Sequence, residues 1–552
     1  MCERAARCHA DPLTLATAST QAEARPPAQG ITLGRMSTDV EQTLATGYGF
    51  EAPAITFGAG MQGETALPGA QVRVPLAMVN RHGLVAGATG TGKTKTLQVL
   101  AEQLSDAGVP VFISDIKGDI SGLAAPAQLN DKLTSRATAI GFGDYAPKAY
   151  PVEFLTLDRG GKGVRLRASV SSFGPILMSK VLDLNDTQQS VLALAFKYAD
   201  DKQLPILNLE DLRALLNHLN SDEGKSEMAE YGGVATATVG VIVRKIVELE
   251  QQEADAFFGS PEFDVDDFLR LTDDGRGVIN VLELADMQDR PALFSTFMMW
   301  LLASLYESLP EVGDPDKPKL VFFFDEAHLL FRDANKTFMQ QIELVARLIR
   351  SKGVGVFFVT HSPSDVPAEV LGQLGNRVQH ALRAFTPDDL KVVRATADTF
   401  PRTELYDVEA ELTMLGTGEA LVTALDLKGR PMPTARVMMR PPMSLMAQIE
   451  PAAFDAVVAA SPIAAGYAVD TDPDSAKEML VARMARATEA AKEPMQDVAD
   501  PESADERKLR PTRAPERGVD WGKLATEGSR VARSGTFNTI LRAVFGILTR
   551  RR

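Results

Sequence analysis

The sequence predicts an α/β fold with a mainly parallel sheet, a helical insertion and a helical C-terminal tail. Three observations lead there. Between about residues 80 and 440, short continuous apolar runs alternate with helical patterns. The first of these runs leads straight into a Gly-rich turn and then a helix. A block at about 176–270 is helical by pattern alone. Continuous apolar strands separated by helices imply a parallel sheet covered on both faces.

The bulk composition sets the bounds. The chain has 552 residues, 45% of them hydrophobic and 24% charged, enough apolar material for a large core with insertions. Its net charge of −15 is that of a soluble acidic protein. Binding to a polyanion would therefore need a local basic patch. The two cysteines, Cys2 and Cys8, stand at the extreme N-terminus, so no disulfide framework and no cysteine metal site is expected in the body. A reducing cytoplasm is the expected compartment. Ala292–Tyr306 is apolar but too short to span a bilayer, and it is expected to be a buried helix.

Residues 1–35 are rich in Ala, Pro and small polar types and are expected to be disordered. Met36 opens more ordinary sequence and is a candidate start. Glu3, Asp11 and Glu23 speak against a transit peptide. From there the order is legible. HGLVAG at 82–87 is a strand, and LQVLAEQLSDAG lies on the helix after the turn. VPVFIS is a second strand ending at Asp115. KLVFFFD, GVGVFFVT, RVQHALRAF and GEALVTAL follow as further strands of the set. LNDTQQSVLALAFKYAD, LEDLRALLNHL and VIVRKIVELEQQEADAFF make up the insertion, and QQIELVARLIRS is another helix. An ATPase domain is expected over 36–440, with a linker and a charged helix over 441–534. At 535–552, Phe537, Ile540, Leu541, Val544, Phe545 and Leu548 recur at helical spacing before Arg550–Arg552. This amphipathic tail suits docking on the protein's own surface. Contact with an anionic membrane surface is the alternative.

GATGTGKT at 87–94 fits G-x-x-x-x-G-K-[ST] in full, between a strand and a helix as that motif requires. Gly87, Ala88, Thr89, Gly90, Thr91, Gly92, Lys93 and Thr94 are the candidate nucleotide-binding residues. The glycines let the backbone turn its N–H groups toward phosphate, and the helix N-terminus adds positive potential. Lys93 reaches the β- and γ-phosphates, and Thr94 offers its hydroxyl to Mg²⁺. In KLVFFFDEAH at 319–328, five apolar residues run into Asp325, the expected Mg²⁺ residue, and Glu326, the expected base for the attacking water. ATP and Mg²⁺ are the expected ligands.

Other candidates follow the strand ends, which face the nucleotide in this fold class. Thr360 and His361 close GVGVFFVT and can sense the γ-phosphate. His361 can equally be a satisfied structural histidine. Asp115 and Lys117 in DIKGD can line the site edge, or the carboxylates there can simply cap a turn. Arg347 and Arg350 lie three apart on a helix. Either can be an arginine finger across a subunit interface or part of a solvated face.

Together, NRHGLVAGATGTGKT, SDIKGD, LNDTQQ, GVINVLELADMQDRP, FFFDEAHLLF, RLIRSKGVGVFFVTHSP and RVQHALRAFTPDD resemble the HerA/FtsK group of P-loop motor ATPases. They are most similar to its bacterial HerA-like, YjgR-like branch. The resemblance runs over about 75–440. It implies a RecA-like P-loop NTPase core, Mg-ATP hydrolysis, homohexamers, and translocation or unwinding of DNA. By position, Arg350 matches the group's trans-acting arginine, and Arg383 matches a basic motif position counted among the sensor candidates. The chain departs from the group's translocases in placing His361 where they usually carry Gln. Residues 36–79 are too few for the N-terminal barrel of archaeal HerA.

A DNA motor needs cations facing its track, for which Lys162, Arg165 and Arg167 in GGKGVRLRAS are candidates. A ring ATPase acting on protein or at a membrane surface is the alternative, favoured by the tail. A nucleotide switch with little turnover is disfavoured by Glu326.

Overall fold

The computed structural model describes residues 33–284, 290–332, 336–471 and 473–490. The tail 535–552, the expected linker residues 494–534, residues 1–32 and part of the GVINVLELADMQDRP motif lie outside the described residues. Helix Leu33–Gly47 begins just before Met36.

Twelve strands form one sheet among the described residues. They are β1 (Ala54–Gln62), β2 (Thr65–Pro75), β3 (Gly83–Ala86), β4 (Val111–Asp115), β5 (Val152–Thr156), β6 (Val164–Arg165), β7 (Ile279–Glu283), β8 (Leu320–Phe324), β9 (Val354–Thr360), β10 (Asn376–His380), β11 (Glu419–Thr423) and β12 (Ala435–Met439). Their order across the sheet is β2-β1-β12-β11-β10-β3-β9-β8-β4-β7-β5-β6. From β10 to β6 every pairing is parallel. The other four strands pair antiparallel at one edge.

The sheet is therefore mainly parallel, as the apolar runs predicted. GEALVTAL is a correction within it: as β11 it runs antiparallel to β10. An apolar run records burial, not direction, so the sequence could not separate the two.

Side-chain alternation along the strands feeds two cores. Phe112, Phe322 and Phe358 point into the layer holding the helical insertion. Val111, Ile113, Val321, Phe323, Phe357 and Val359 point into the layer holding helix Lys93–Asp106. With both faces covered, β4, β8 and β9 are buried at every position. Helices Val170–Val181, Asp186–Asp201, Leu209–Asn220 and Thr236–Gln251 build the insertion layer. Helix Pro291–Ser308 joins them, with Leu293, Phe297, Met298, Leu301 and Leu305 fully buried, as expected for its apolar stretch. Among the described residues no helix is long and apolar enough to cross a membrane.

Residues just after 440 differ from the expected linker. Ser444 is buried, and Glu102 accepts the N–H groups of Met443 and Ser444. Helix Pro451–Ala459 lays Phe454 on Phe154 with ring centroids 4.0 Å apart. Tyr467 packs on Phe263, and Asp470 pairs with Arg165 and Arg167. Helix Ala476–Ala490 docks on helix Leu209–Asn220 through Ser475–Asp211 and Lys477–Glu210 contacts. The segment is poor in apolar periodicity because its anchors are single aromatics and buried polar contacts.

Candidate nucleotide and hydrolysis site

The carboxyl ends of β3, β4, β8 and β9 lie side by side, because these strands are parallel neighbours. That edge collects the sequence-predicted residues. The loop after β3 turns back at Gly87, where φ is 153° and an added Cβ would lie 2.5 Å from the Cβ of His380. No larger residue fits there. Gly92 caps helix Lys93–Asp106 in a left-handed conformation. The first-turn N–H groups of a helix have no partner inside it and present positive potential.

The loop residues divide the work unequally. The N–H of Gly87 donates to the Thr360 carbonyl (3.2 Å) and that of Ala88 to the Ala381 carbonyl (2.9 Å). Gly87 and Ala88 therefore dock the loop on its neighbours and do not offer their N–H groups outward. Thr91 is also held, its hydroxyl donating to the Ala88 carbonyl at 2.7 Å. Thr89 and Gly90 are exposed at the tip, and Thr94 is half-buried in the first helical turn. Lys93 is buried, and its Nζ donates to the carbonyls of Gly87 (2.8 Å) and Ala88 (3.3 Å). Burial lowers its pKa, while Glu326 works in the opposite direction.

Asp325 is 2% exposed, and its Oδ2 has no hydrogen-bond partner. Burial, reinforced by the adjacent Glu326 charge, pushes its pKa up to about 7. An orphaned buried carboxylate oxygen is costly, and a cation would relieve it. Carboxylate oxygens of Asp115, Asp119 and Asp325 come within 4.8 Å of one another. The residues present thus fit a divalent ion at Asp325.

Glu326 adopts a left-handed backbone (φ 48°), unusual for this residue type, and is 4% exposed. Lys117 donates to its Oε1. Oε2 lies 3.1 Å from His361 Nε2 and 3.2 Å from His328 Nδ1, but without the alignment of a hydrogen bond. Burial pushes the Glu326 pKa up; Lys117, then His361 and Lys93, outweigh it and leave the group below its ordinary value.

The other candidates separate. His361 is in the site, with Nδ1 3.4 Å from Lys93 Nζ as well. Thr360 is buried and its hydroxyl donates to Asp365 at 2.7 Å, so its contribution to the loop is its carbonyl. Asp115 accepts the N–H groups of Lys117, Gly118 and Ile120, which is the turn-capping reading. Burial raises its pKa to about 6. Arg383 is exposed just beyond Ala381.

Arg350 sits before the start of β9, at the opposite sheet edge, paired with Asp314 at 3.3 Å. The seven residues of β9 place it roughly 20 Å from the hydrolysis edge of its own chain. Arg347 is exposed on the preceding helix.

Arg165 and Arg167 do not face a track. Arg167 is 1% exposed and is tied to Asp470 and to the carbonyls of Pro261 and Tyr467. Arg165 pairs with Asp470 at 2.8 Å, and Lys162 with Asp455 at 2.7 Å. The carboxylates that bind them come from the segment after 440, far away in sequence.

Three contributors went unmarked by sequence pattern. His380 is buried and neutral, its pKa lowered to about 4 by burial, and it pairs with Thr96 and the Glu419 carbonyl behind the loop. Gly418 donates to the Thr91 carbonyl. His328 stands in the DEAH string itself, where its spacing from Glu326 was the available signal.

The family model for the helicase HerA-like C-terminal region matches residues 62–552, most of the chain. The chain belongs to the HerA-like helicase family. Among relatives of this HerA-like chain are two archaeal proteins described as DNA double-strand break repair helicase HerA. The one from Sulfolobus acidocaldarius is 23% identical over 365 residues, covering 64% of each chain. The one from Sulfurisphaera tokodaii is 23% identical over 369 residues, again covering 64% of each. The chain thus spans less than two thirds of these relatives' length. Among solved structures, the plasmid coupling protein TrwB with an ATP analogue aligns over 73% of this chain and 98% of its own, at 18% identity and a TM-score of 0.47. VirB4 of Thermoanaerobacter pseudethanolicus aligns over 73% of this chain and 99% of its own, at 15% identity and a TM-score of 0.40.

Proposed function

We propose that this HerA-like chain is a Mg-ATP-hydrolysing motor ATPase that assembles as a homohexamer and works on DNA. One observation carries the reading: the phosphate loop with Lys93, the orphaned buried Asp325 and the clamped Glu326 converge on one sheet edge.

Each residue then has a task. The first-turn N–H groups of helix Lys93–Asp106 and the Lys93 ammonium bind phosphate oxygens. Thr94 and Asp325 hold Mg²⁺, which neutralises charge on the transferring phosphoryl group. Glu326 orders the attacking water and takes its proton. His361, close to both Lys93 and Glu326, links the two halves of the site and is the sensor candidate that the geometry supports. Arg350 is too far to serve its own site, so its part is across a subunit boundary. The homohexamer rests on that role for Arg350, which comes from the resemblance to the group. DNA rests on the family and on what the archaeal relatives are described as doing. With Arg165 and Arg167 committed internally, the cations that grip DNA lie elsewhere.

The test is steady-state ATPase rate alone, with single-stranded DNA and with duplex DNA, at low and moderate salt. Salt-sensitive stimulation is the expected result. A measurable rate indifferent to DNA keeps the ATPase and replaces the DNA motor with a ring ATPase acting on protein or at a membrane surface.

A further inference from the structure

Glu326 is held from outside its own strand. Lys117 follows β4, and the turn carrying it is pinned by Asp115, which accepts the N–H groups of Lys117, Gly118 and Ile120. Gly118 takes φ 70°, which closes that turn. From there the Lys117 ammonium donates to Glu326 Oε1. The partners differ in exposure: the Glu326 side chain is 5% exposed and that of Lys117 41%. A buried carboxylate stays charged only with a partner, whereas a half-exposed ammonium is well solvated without one. The dependence therefore runs one way, from Glu326 to Lys117.

The clamp also distinguishes the two carboxylate oxygens. Oε1 is committed to Lys117, while Oε2 has no aligned hydrogen-bond donor. We propose that Lys117 is a positioning residue for hydrolysis, fixing Glu326 through Oε1 and leaving Oε2 as the basic atom. This rests on the ATPase reading above. The charged and titratable groups facing Glu326 come from every neighbouring element: Lys117 after β4, Lys93 on the loop helix, His361 after β9, His328 after β8, and Asp325 beside it. Of these, Lys117 alone makes an aligned hydrogen bond to the carboxylate among the described residues.

The experiment compares kcat and KM for ATP in the native chain, Lys117→Met, Lys117→Gln and Lys117→Arg. Glu326→Gln is the control. Lys117→Met and Lys117→Gln are expected to lower kcat about tenfold or more with KM within about twofold. Lys117→Arg should retain most of the native kcat, because it keeps a cationic donor to Glu326 Oε1. A kcat in Lys117→Met and Lys117→Gln within about twofold of the native value overturns the proposal, as does a Lys117→Arg variant as slow as Lys117→Met. So does a rise in KM at constant kcat, which would put Lys117 on the nucleotide. If the native chain does not turn over ATP, the ATPase reading fails instead; if Glu326→Gln turns over at the native rate, Glu326 is not the base and the proposal falls with it.

Discussion

Replacing Asp325 with Asn should make the protein more stable while removing its activity. Asp325 is buried with an orphaned oxygen, and its pKa is pushed up to about 7. Its ordinary value is near 4. The folded state therefore binds a proton more tightly than the unfolded one. For a carboxyl with a raised folded pKa, stability falls as pH rises from the unfolded toward the folded value. Between pH 5 and pH 8 that loss spans about two units, or about 3 kcal/mol at 1.36 kcal/mol per unit. For a chain of this size 3 kcal/mol moves the melting midpoint by about 3 °C. Asn has the same shape and carries no charge, so it escapes the penalty. In EDTA, Asp325→Asn should melt about 3 °C above the native chain at pH 8, with the gap closing toward pH 5. Mg²⁺ with ADP should raise the native midpoint at pH 8 and the variant's much less. The assay is differential scanning calorimetry at both pH values. A variant that melts at or below the native chain at pH 8 refutes the reasoning, because Asp325 would then be satisfied within the fold.

Other outcomes are expected from the same geometry. Glu326→Gln should lower turnover by about 10²- to 10⁴-fold and keep ATP binding, measured by single-turnover hydrolysis and equilibrium titration; Lys117 then loses its partner but is exposed enough to be hydrated. Arg350→Ala should be inactive alone and regain some rate when mixed with Glu326→Gln, since each could supply what the other lacks; no recovery in demonstrably mixed rings counts against action across the boundary. Asp470→Ala should destabilise the fold by about 1 to 2 kcal/mol, because it removes the carboxylate shared by Arg165 and buried Arg167, while Arg167 keeps the Pro261 and Tyr467 carbonyls. Under conditions where it stays folded, its salt-dependent DNA stimulation should match the native chain.

The site was legible where chemistry and chain direction coincide. A phosphate loop is one contiguous string, so Gly87–Thr94 and their strand–helix setting could be read directly. Asp325 and Glu326 end a strand whose apolar run announces burial. Longer-range partners left little trace. Lys117 was legible as a candidate for the site edge or part of a turn, but not as the partner of Glu326, because nothing local to DIKGD indicates a contact 209 positions away. Arg165 and Arg167 looked like surface cations because their shared partner, Asp470, lies beyond the expected end of the domain. Thr360 looked free because Asp365 turns back to it through a short 3₁₀ segment.

The sequence alone determined the fold class, the phosphate loop and the acidic pair at the end of β8, since those depend on local pattern and backbone rules. Tertiary structure alone decided strand direction at the antiparallel edge, the docking of residues after 440, and which charges meet. An apolar run states only that it is buried, and a charge states only its sign. Partners are chosen by the order of strands in the sheet, which sets β4 beside β8 and so brings Lys117 to Glu326.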